Sequence, residues 1–167
     1  MEPVPHARLV DRYRAEPERA AVTQRVSTTL AEGMRCETTS RGHVAVADEP
    51  RSLGGTDSAQ SPVELFLTSI ATCQAGTYRL WAHELGIALE RVTVEVEGDI
   101  DLRGLLGMAD VAPGYGAIRI RVHLEGPEEE SRYRHLAEEA DRHCPLLDVL
   151  VRPVAVDREL RLGPPPA

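Results

Sequence analysis

The 167-residue sequence contains no lysine and no asparagine, so all 19 of its basic residues are arginines. The absence of lysine excludes catalysis through a lysine Schiff base and phosphate binding by a P-loop lysine. The absence of asparagine excludes N-linked glycosylation. Aromatic residues make up only 4% of the chain, whereas hydrophobic residues as a whole make up 42%. The core is therefore predicted to be mainly aliphatic.

Long apolar runs are also missing. No stretch approaches the roughly 18 apolar residues of a membrane-spanning helix, and the first 20 residues lack the apolar segment of a signal peptide. The formal net charge is −8, and no cluster of arginines offers a binding surface for a nucleic-acid backbone. We therefore expect a cytoplasmic protein that binds neither membranes nor nucleic acids.

Cysteine is scarce as well. The three cysteines, Cys36, Cys73 and Cys144, form no CxxC pair and no zinc-binding spacing. The six histidines show no HExxH pattern and no carboxylate cluster completes a metal-ligand set, so we expect neither a metal nor another cofactor. In the reducing cytoplasm a cysteine pair is more often catalytic or redox-sensing than a structural disulfide.

The hydrophobic pattern divides the chain into strands and helices. Alternating apolar and polar residues predict strands over 22–30, 35–41, 43–47, 92–97, 118–124 and 154–160. Helices are predicted over 7–15, 61–85 and 128–143, and a glycine-rich, irregular excursion is predicted over 102–116. The main order, β-β-β-α-β-β-α-β with antiparallel alternation, indicates the α+β class.

Two of the cysteines occupy positions of chemical interest. Cys73 lies in the middle of the predicted helix 61–85, where a free cysteine serves as a small buried hydrophobe more often than as a reactive thiol. Cys144 precedes Pro145, which ends one helix and can begin another, so Cys144 is expected at an N-cap facing unsatisfied N–H groups. The alternative for Cys144 is simple packing beside Leu146. Cys36 stands within a predicted strand, and no neighbour indicates a role for it.

The segment from residue 41 to residue 73 resembles the OsmC/organic hydroperoxide resistance family. The features that carry the resemblance are Gly54-Gly55, Pro62-Val63-Glu64-Leu65 and Ile70-Ala71-Thr72-Cys73, followed later in the chain by Cys144-Pro145-Leu146-Leu147-Asp148. The resemblance covers residues 21–160. We therefore expect an N-terminal extension with a short helix at 1–20, an OsmC-like domain at 21–162 and a disordered tail at 163–167.

This resemblance implies an α+β fold in which bent antiparallel sheets wrap around central helices in an intertwined homodimer. It also implies a thiol peroxidase that reduces organic hydroperoxides in the response to oxidative stress. By motif, Cys73 would attack the peroxide and become a sulfenic acid, and Cys144 would condense with it to form a disulfide. A dithiol, in well-studied relatives a lipoylated protein, would then reduce that disulfide.

The sequence departs from the family at one activating position. The well-studied branch carries a glutamate where this chain has Val63. Glu64 stands nine residues before Cys73 and would therefore face the opposite side of the helix. Glu64 is better explained as the capping-box partner of Ser61.

The other activator that the resemblance implies is an arginine that stabilises the thiolate. Arg51 is the nearest match, and Arg35 and Arg41 are alternatives. Two other functions stay open: a dimer that binds a hydrophobic ligand or senses oxidants, and a thiol-dependent hydrolase or acyltransferase that uses His143 or His83 as its base.

Overall fold

A computed structural model describes residues 6–163 of the chain. Within these residues the helices are α1 (His6–Ala15), α2 (Pro62–Glu84), α3 (Leu102–Leu105), α4 (Glu130–His143) and α5 (Pro145–Val151). The strands are β1 (Ser27–Leu30), β2 (Cys36–Ser40), β3 (His43–Ala47), β4 (Arg91–Ile100) and β5 (Tyr115–Glu125). The strands pair antiparallel in two separate sheets, which confirms the predicted α+β class. None of the described helices combines the length and the apolar character needed to cross a bilayer.

The first sheet is an antiparallel meander in the order β1-β2-β3, as the alternation predicted. The turn between β2 and β3 uses Arg41 and Gly42, both with positive φ (49° and 84°), a conformation that suits a tight hairpin. The predicted first strand is too long, because pairing with β2 begins only at Ser27. Residues 21–26 form no strand, since no described segment pairs with them. All four residues of β1 are exposed.

Helix α2 begins and ends where its sequence predicted. Ser61 Oγ accepts a hydrogen bond from the Glu64 main-chain N–H, and the Glu64 carboxylate accepts one from the Ser61 main-chain N–H at 2.8 Å. This capping box and Pro62 in the first turn fix the start of the helix. At the other end, Gly86 adopts φ 60°, the left-handed conformation that terminates many helices.

Strands β4 and β5 form a long hairpin whose far end folds back onto α2. A Cβ atom at Gly98 would lie 2.5 Å from the ring of Tyr115, so the packing of this ring against β4 requires glycine there. The Tyr115 hydroxyl donates to the main-chain oxygen of Val63 at 2.8 Å, and its ring stacks on Phe66. The predicted excursion, which contains α3, is therefore anchored at the start of α2. Phe66 precedes Cys73 by seven residues, about 10 Å along the helix axis.

Helix α2 is central, as its small side chains predicted. It packs on β4 on one side and on α4 and α5 on another. The buried residues of this core are mostly aliphatic: Tyr78, Ala82, Ile87, Leu89, Leu136 and Ala140. The packing of α2 against α4 and α5 brings the two cysteine-bearing parts of the chain together.

The predicted final strand over 154–160 is wrong. Residues 153–162 adopt neither helix nor strand, and Val156 and Leu160 are both 83% exposed. Alternation shows only that a segment suits an extended conformation, whereas a strand forms only beside a hydrogen-bonding partner. No described segment of this chain provides that partner. Residues 164–167 of the predicted tail and residues 1–5 of the predicted extension lie outside the described part of the chain.

Candidate functional site: a facing pair of thiols

Cys73 and Cys144 face each other between α2 and the junction of α4 with α5. Cys144 adopts an extended conformation (φ −79°, ψ 113°), which ends α4, and Pro145 then begins α5. The predicted N-cap position of Cys144 is thus confirmed, although its side chain makes no capping hydrogen bond. Its Sγ instead lies 3.6 Å from Cys73 Sγ. Since a disulfide bond is about 2.05 Å long, the two sulfurs need to approach by only about 1.5 Å to form one.

The two thiols differ in exposure. Cys73 is partly exposed, whereas Cys144 is 1% exposed. Burial raises the pKa of Cys73 above the usual thiol value, and the main-chain N–H of Leu146 and the hydroxyl of Thr77 act in the opposite direction. Of the two sulfurs, Cys73 is thus the more accessible from solvent.

The residue that follows Cys73 in α2 carries a buried amide. Gln74 is 1% exposed, and its Nε2 donates to Asp141 Oδ1 at 3.4 Å, which joins α2 to α4. Gln74 Oε1 is buried and has no hydrogen-bond partner among the described residues. Tyr78, one turn further along α2, is 2% exposed, and burial together with the negative charge of Asp141 raises its pKa to about 12. Sequence reasoning missed this cluster, and its only signal was a glutamine within an otherwise apolar and small-residue helix.

The loop before α2 is organised by a second buried polar residue, Asp48, which is 1% exposed. Its Oδ2 accepts hydrogen bonds from the main-chain N–H groups of Thr56 (3.0 Å) and Ser58 (3.1 Å) and from both their hydroxyls (2.5 and 2.9 Å). These donors, the Thr56 hydroxyl above all, hold the pKa of Asp48 well below its usual range. The sequence predicted a loop over 48–60 but not the residue that fixes its shape.

The predicted activating residues make no hydrogen bond or ion pair with the thiols within the described chain. Arg51 begins a 3-10 turn in the loop before α2 and is exposed, and no hydrogen bond or ion pair joins it to Cys73 among residues 6–163. Arg35 is ion-paired with a neighbouring glutamate, and Arg41 occupies the β2–β3 turn. Glu64 is held in the capping box, as predicted. Among the described residues, the groups that lower the pKa of Cys73 are both uncharged: the Leu146 main-chain N–H and the Thr77 hydroxyl.

The two histidines proposed as a catalytic base, His143 and His83, make no bond to either thiol in the described part of the chain. The His143 ring stacks on Trp81 with centroids 4.2 Å apart, and its Nδ1 donates to the main-chain oxygen of Glu139 at 2.8 Å. His83 is exposed near the end of α2. Among the described residues, neither histidine bonds to Cys73, and no three metal-binding side chains form a cluster. These contacts give no support to His143 or His83 as the base of a thiol-dependent hydrolase.

Three open cavities lie elsewhere on the molecule. The first, of 560 Å³, lies under the excursion and is lined in part by Asp101, Val111 and Gly114. The second, of 230 Å³, follows α2 from Glu64 to Ala71, and the third, of 330 Å³, borders the α2–α4 packing. None of these three is lined by Cys73 or Cys144, so none of them is a pocket for a ligand at the thiols.

The fold and the facing thiols define an α+β protein with a closely spaced dithiol. The profile of the OsmC-like protein family matches residues 55–159, a range that includes both cysteines. The chain belongs to the OsmC-like family, and the resemblance noted from the sequence is confirmed. No curated protein sequence matches it.

Solved structures share this fold. The OsmC like protein from Mycoplasma pneumoniae is 18% identical, with a TM-score of 0.68 over 78% of this chain and 88% of that chain. An organic hydroperoxide resistance protein OsmC from Legionella pneumophila is 24% identical, with a TM-score of 0.59 over 77% and 89% of the two chains. An organic hydroperoxide resistance protein from Elizabethkingia anophelis, crystallised with thiocyanate bound, is 20% identical, with a TM-score of 0.59 over 77% and 88%. At sequence identities of 18–24%, the similarity to these structures establishes the fold alone.

Proposed function

We propose that this protein is a thiol peroxidase that reduces organic hydroperoxides, with Cys73 as the attacking thiol and Cys144 as the resolving thiol. The observation that carries the proposal is the 3.6 Å separation of the two sulfurs, one partly exposed and the other buried. Solved relatives of the same fold include two organic hydroperoxide resistance proteins, which supports a role in peroxide stress.

The electron transfer involves the hydroperoxide, the two cysteine sulfurs and an external dithiol. The Cys73 thiolate attacks one peroxide oxygen, the O–O bond breaks, and the departing alkoxide takes up a proton to become an alcohol. Cys73 is left as a sulfenic acid. The Cys144 sulfur then attacks the Cys73 sulfur, and the S–S bond forms as water leaves. Two electrons from a dithiol such as a lipoyl group restore both thiols by exchange.

The attacking step requires the Cys73 thiolate, whereas burial raises the pKa of Cys73. A cation brought close to the sulfur would offset that effect. We propose that this cation is the guanidinium group of Arg51, which is exposed in the loop before α2. Arg51→Met should slow the reaction of Cys73 with peroxide near neutral pH, while the same change at Arg41 should not. Equal effects at the two positions would remove Arg51 from the mechanism.

We further propose that two chains interlock as a cytoplasmic homodimer. The chain exposes large apolar side chains near both its ends, each more than half exposed: Val22, Val26, Leu30, Val44, Val154, Val156, Leu160 and Leu162. Monomeric proteins seldom expose so much apolar surface, and a second copy would also offer a pairing partner to the unpaired segment 153–162. Light scattering should give twice the 18.3 kDa chain mass, and a monomer mass would refute the dimer.

The aliphatic, aromatic-poor composition favours bulky organic hydroperoxides over hydrogen peroxide. Cumene hydroperoxide should therefore react with Cys73 at the higher second-order rate, and a strong preference for hydrogen peroxide would contradict this choice of substrate.

The Cys73–Cys144 disulfide must then be reduced back to two thiols. Dihydrolipoamide should sustain this turnover better than glutathione, because its second thiol attacks the mixed disulfide within the same molecule.

The direct test is a count of free thiols before and after one equivalent of cumene hydroperoxide, followed by peptide mapping. We expect the loss of two thiols per chain in a Cys73–Cys144 disulfide. Cys73→Ser should abolish that loss, whereas Cys36→Ser should leave it intact. If the thiols stay reduced, or only Cys36 reacts, the peroxidase proposal fails. A disulfide that forms once without turnover would point to an oxidant sensor.

A further inference from the structure

We propose that the hydroxyl of Thr77 donates a hydrogen bond to the Cys73 sulfur when that sulfur carries negative charge. This assignment deepens the proposed peroxidase function and rests on it for its biological use, although the hydrogen bond can be tested without any peroxide. Thr77 would then be a residue that touches the reacting atom.

The placement of Thr77 follows from the helix geometry. It stands four residues after Cys73 on α2, and side chains at that spacing lie next to each other on one face. Thr77 is only 8% exposed, so water does not compete freely for its hydroxyl. In the structure the hydroxyl donates to the main-chain oxygen of Cys73 at 2.8 Å. The donor is therefore already bonded to the residue whose sulfur would need it.

Redirecting this hydrogen bond requires little movement. A hydroxyl has one hydrogen and two lone pairs, and its hydrogen turns about the Cβ–Oγ1 bond. While Cys73 is a thiol, the hydrogen can stay on the main-chain oxygen and a lone pair can face the S–H group. When the sulfur loses its proton, the hydroxyl can turn towards the thiolate. The Cys73 carbonyl still accepts the regular helical hydrogen bond from the main chain one turn later, so it is not left unpaired.

A purely structural explanation exists for the observed hydrogen bond. Threonine within a helix often donates to the carbonyl one turn earlier. Thr72 does this too, with its hydroxyl 2.9 Å from the main-chain oxygen of Thr68, yet Thr72 is exposed. Thr77 differs because it is buried and lies one turn from a cysteine. The effect of Thr77 on Cys73 has the direction that a hydrogen bond to the thiolate would have. The Thr77 hydroxyl lowers the pKa of Cys73, whereas burial has the larger, opposite effect.

The experiment measures the Cys73 pKa in a Cys36→Ser, Cys144→Ser background, in which Cys73 is the only thiol. The rate of alkylation by iodoacetamide is followed against pH, because only the thiolate reacts. A hydrogen bond to a charged group is worth enough to shift a pKa by about one unit. Thr77→Val should therefore raise the Cys73 pKa by about one unit and slow alkylation at pH 7 by about tenfold. Thr77→Ser, which keeps the hydroxyl, should restore the parent value.

The control is Thr72→Val, which removes the same type of hydrogen bond from the same helix and should leave the Cys73 pKa unchanged. If Thr77→Val fails to fold, Thr77→Ala is titrated in its place. The inference is overturned if the valine and serine variants of Thr77 titrate alike, or if Thr72→Val shifts the pKa as much. A Thr77 effect on the pKa in a protein that consumes no hydroperoxide would refute the peroxidase and retain the hydrogen bond. Peroxide turnover by the protein, together with an unchanged Cys73 pKa in Thr77→Val, would refute the hydrogen bond and retain the peroxidase.

Discussion

Gln74 and Asp141 are joined by a hydrogen bond of 3.4 Å between Nε2 and Oδ1, although 67 residues separate them in sequence. Gln74 directly follows Cys73 on α2, and Asp141 precedes Cys144 by three residues on α4. The bond therefore ties together the two elements that carry the thiols. Because it is long, we assign it a modest share, about 0.5–1 kcal/mol, of the free energy that holds the sulfurs face to face.

Replacing Gln74 by leucine should accordingly loosen the thiol pair. We expect the Cys73–Cys144 disulfide to become less favourable against glutathione by a factor of about two to five, since leucine keeps the volume but not the hydrogen bond. The equilibrium is read from the oxidised fraction in buffers of defined glutathione ratio. Thr72→Val, on the other side of Cys73, is the matched control. An unchanged equilibrium in Gln74→Leu would show that backbone packing alone sets the sulfur distance.

Asp48 should make the stability of the protein depend on acid. Its pKa is held below the usual range, so the unfolded chain takes up a proton as pH falls below about 4 while the folded chain resists it. The stabilisation by Asp48 is thus fully present above that pH and declines below it. Asp48→Asn should lower the melting temperature at pH 7, and the difference from the parent protein should narrow towards about pH 3.

The matched control for this change is Asp57→Asn in the same loop. Asp57 is exposed and has φ 61°, a conformation that asparagine also tolerates. Its replacement should leave the melting temperature nearly unchanged at both pH values. A difference between Asp48→Asn and the parent protein that stays constant with pH would mean that the hydrogen bonds of Asp48 do not depend on its charge.

The sequence predicted those features that depend on neighbouring residues. Ser61 and Glu64 identified the start of α2, Gly86 its end, and the Cys144-Pro145 step the break between α4 and α5, because each of these signals acts within one helical turn. The strands of the first sheet were found for a similar reason, since short turns connect β1 to β2 and β2 to β3.

Features that depend on contacts between distant residues were either missed or predicted only from the family resemblance. Nothing in the alternation of residues 154–160 reveals whether a partner strand exists, and that strand is absent from the described chain. The contact of Gln74 with Asp141 links separate elements and leaves no periodic signal. The approach of Cys73 to Cys144 was expected only through the family resemblance, because no spacing rule joins a mid-helix cysteine to a distant N-cap.

The capping box at the start of α2 should contribute measurably to stability. Ser61→Ala leaves the Glu64 main-chain N–H without its partner and should lower the free energy of unfolding by about 1 kcal/mol, as N-cap replacements usually do. Ser52→Ala, at an exposed position in the preceding loop, should change it by less than about 0.5 kcal/mol. Urea unfolding at fixed protein concentration measures both. Equal effects would mean that tertiary packing, not the cap, fixes the start of α2.

Gly98 should tolerate no side chain, because the excursion depends on its contact with Tyr115. A Cβ atom at Gly98 would lie 2.5 Å from the Tyr115 ring, which cannot retreat easily while its hydroxyl is bonded to Val63 and its face stacks on Phe66. Gly98→Ala should therefore destabilise the protein by about 1–3 kcal/mol, the usual cost of overpacking.

Gly116 provides the control within the same hairpin. A Cβ atom there would meet only the main-chain oxygen of Asp99, at an ordinary 3.9 Å, and the residue does not have positive φ. Gly116→Ala should thus be neutral or slightly stabilising, since alanine restricts the unfolded chain more than glycine does. Urea unfolding distinguishes the two variants, and limited proteolysis within residues 102–116 should speed up only in Gly98→Ala. Equal stability of both variants would show that the excursion is held by contacts other than the Tyr115 ring.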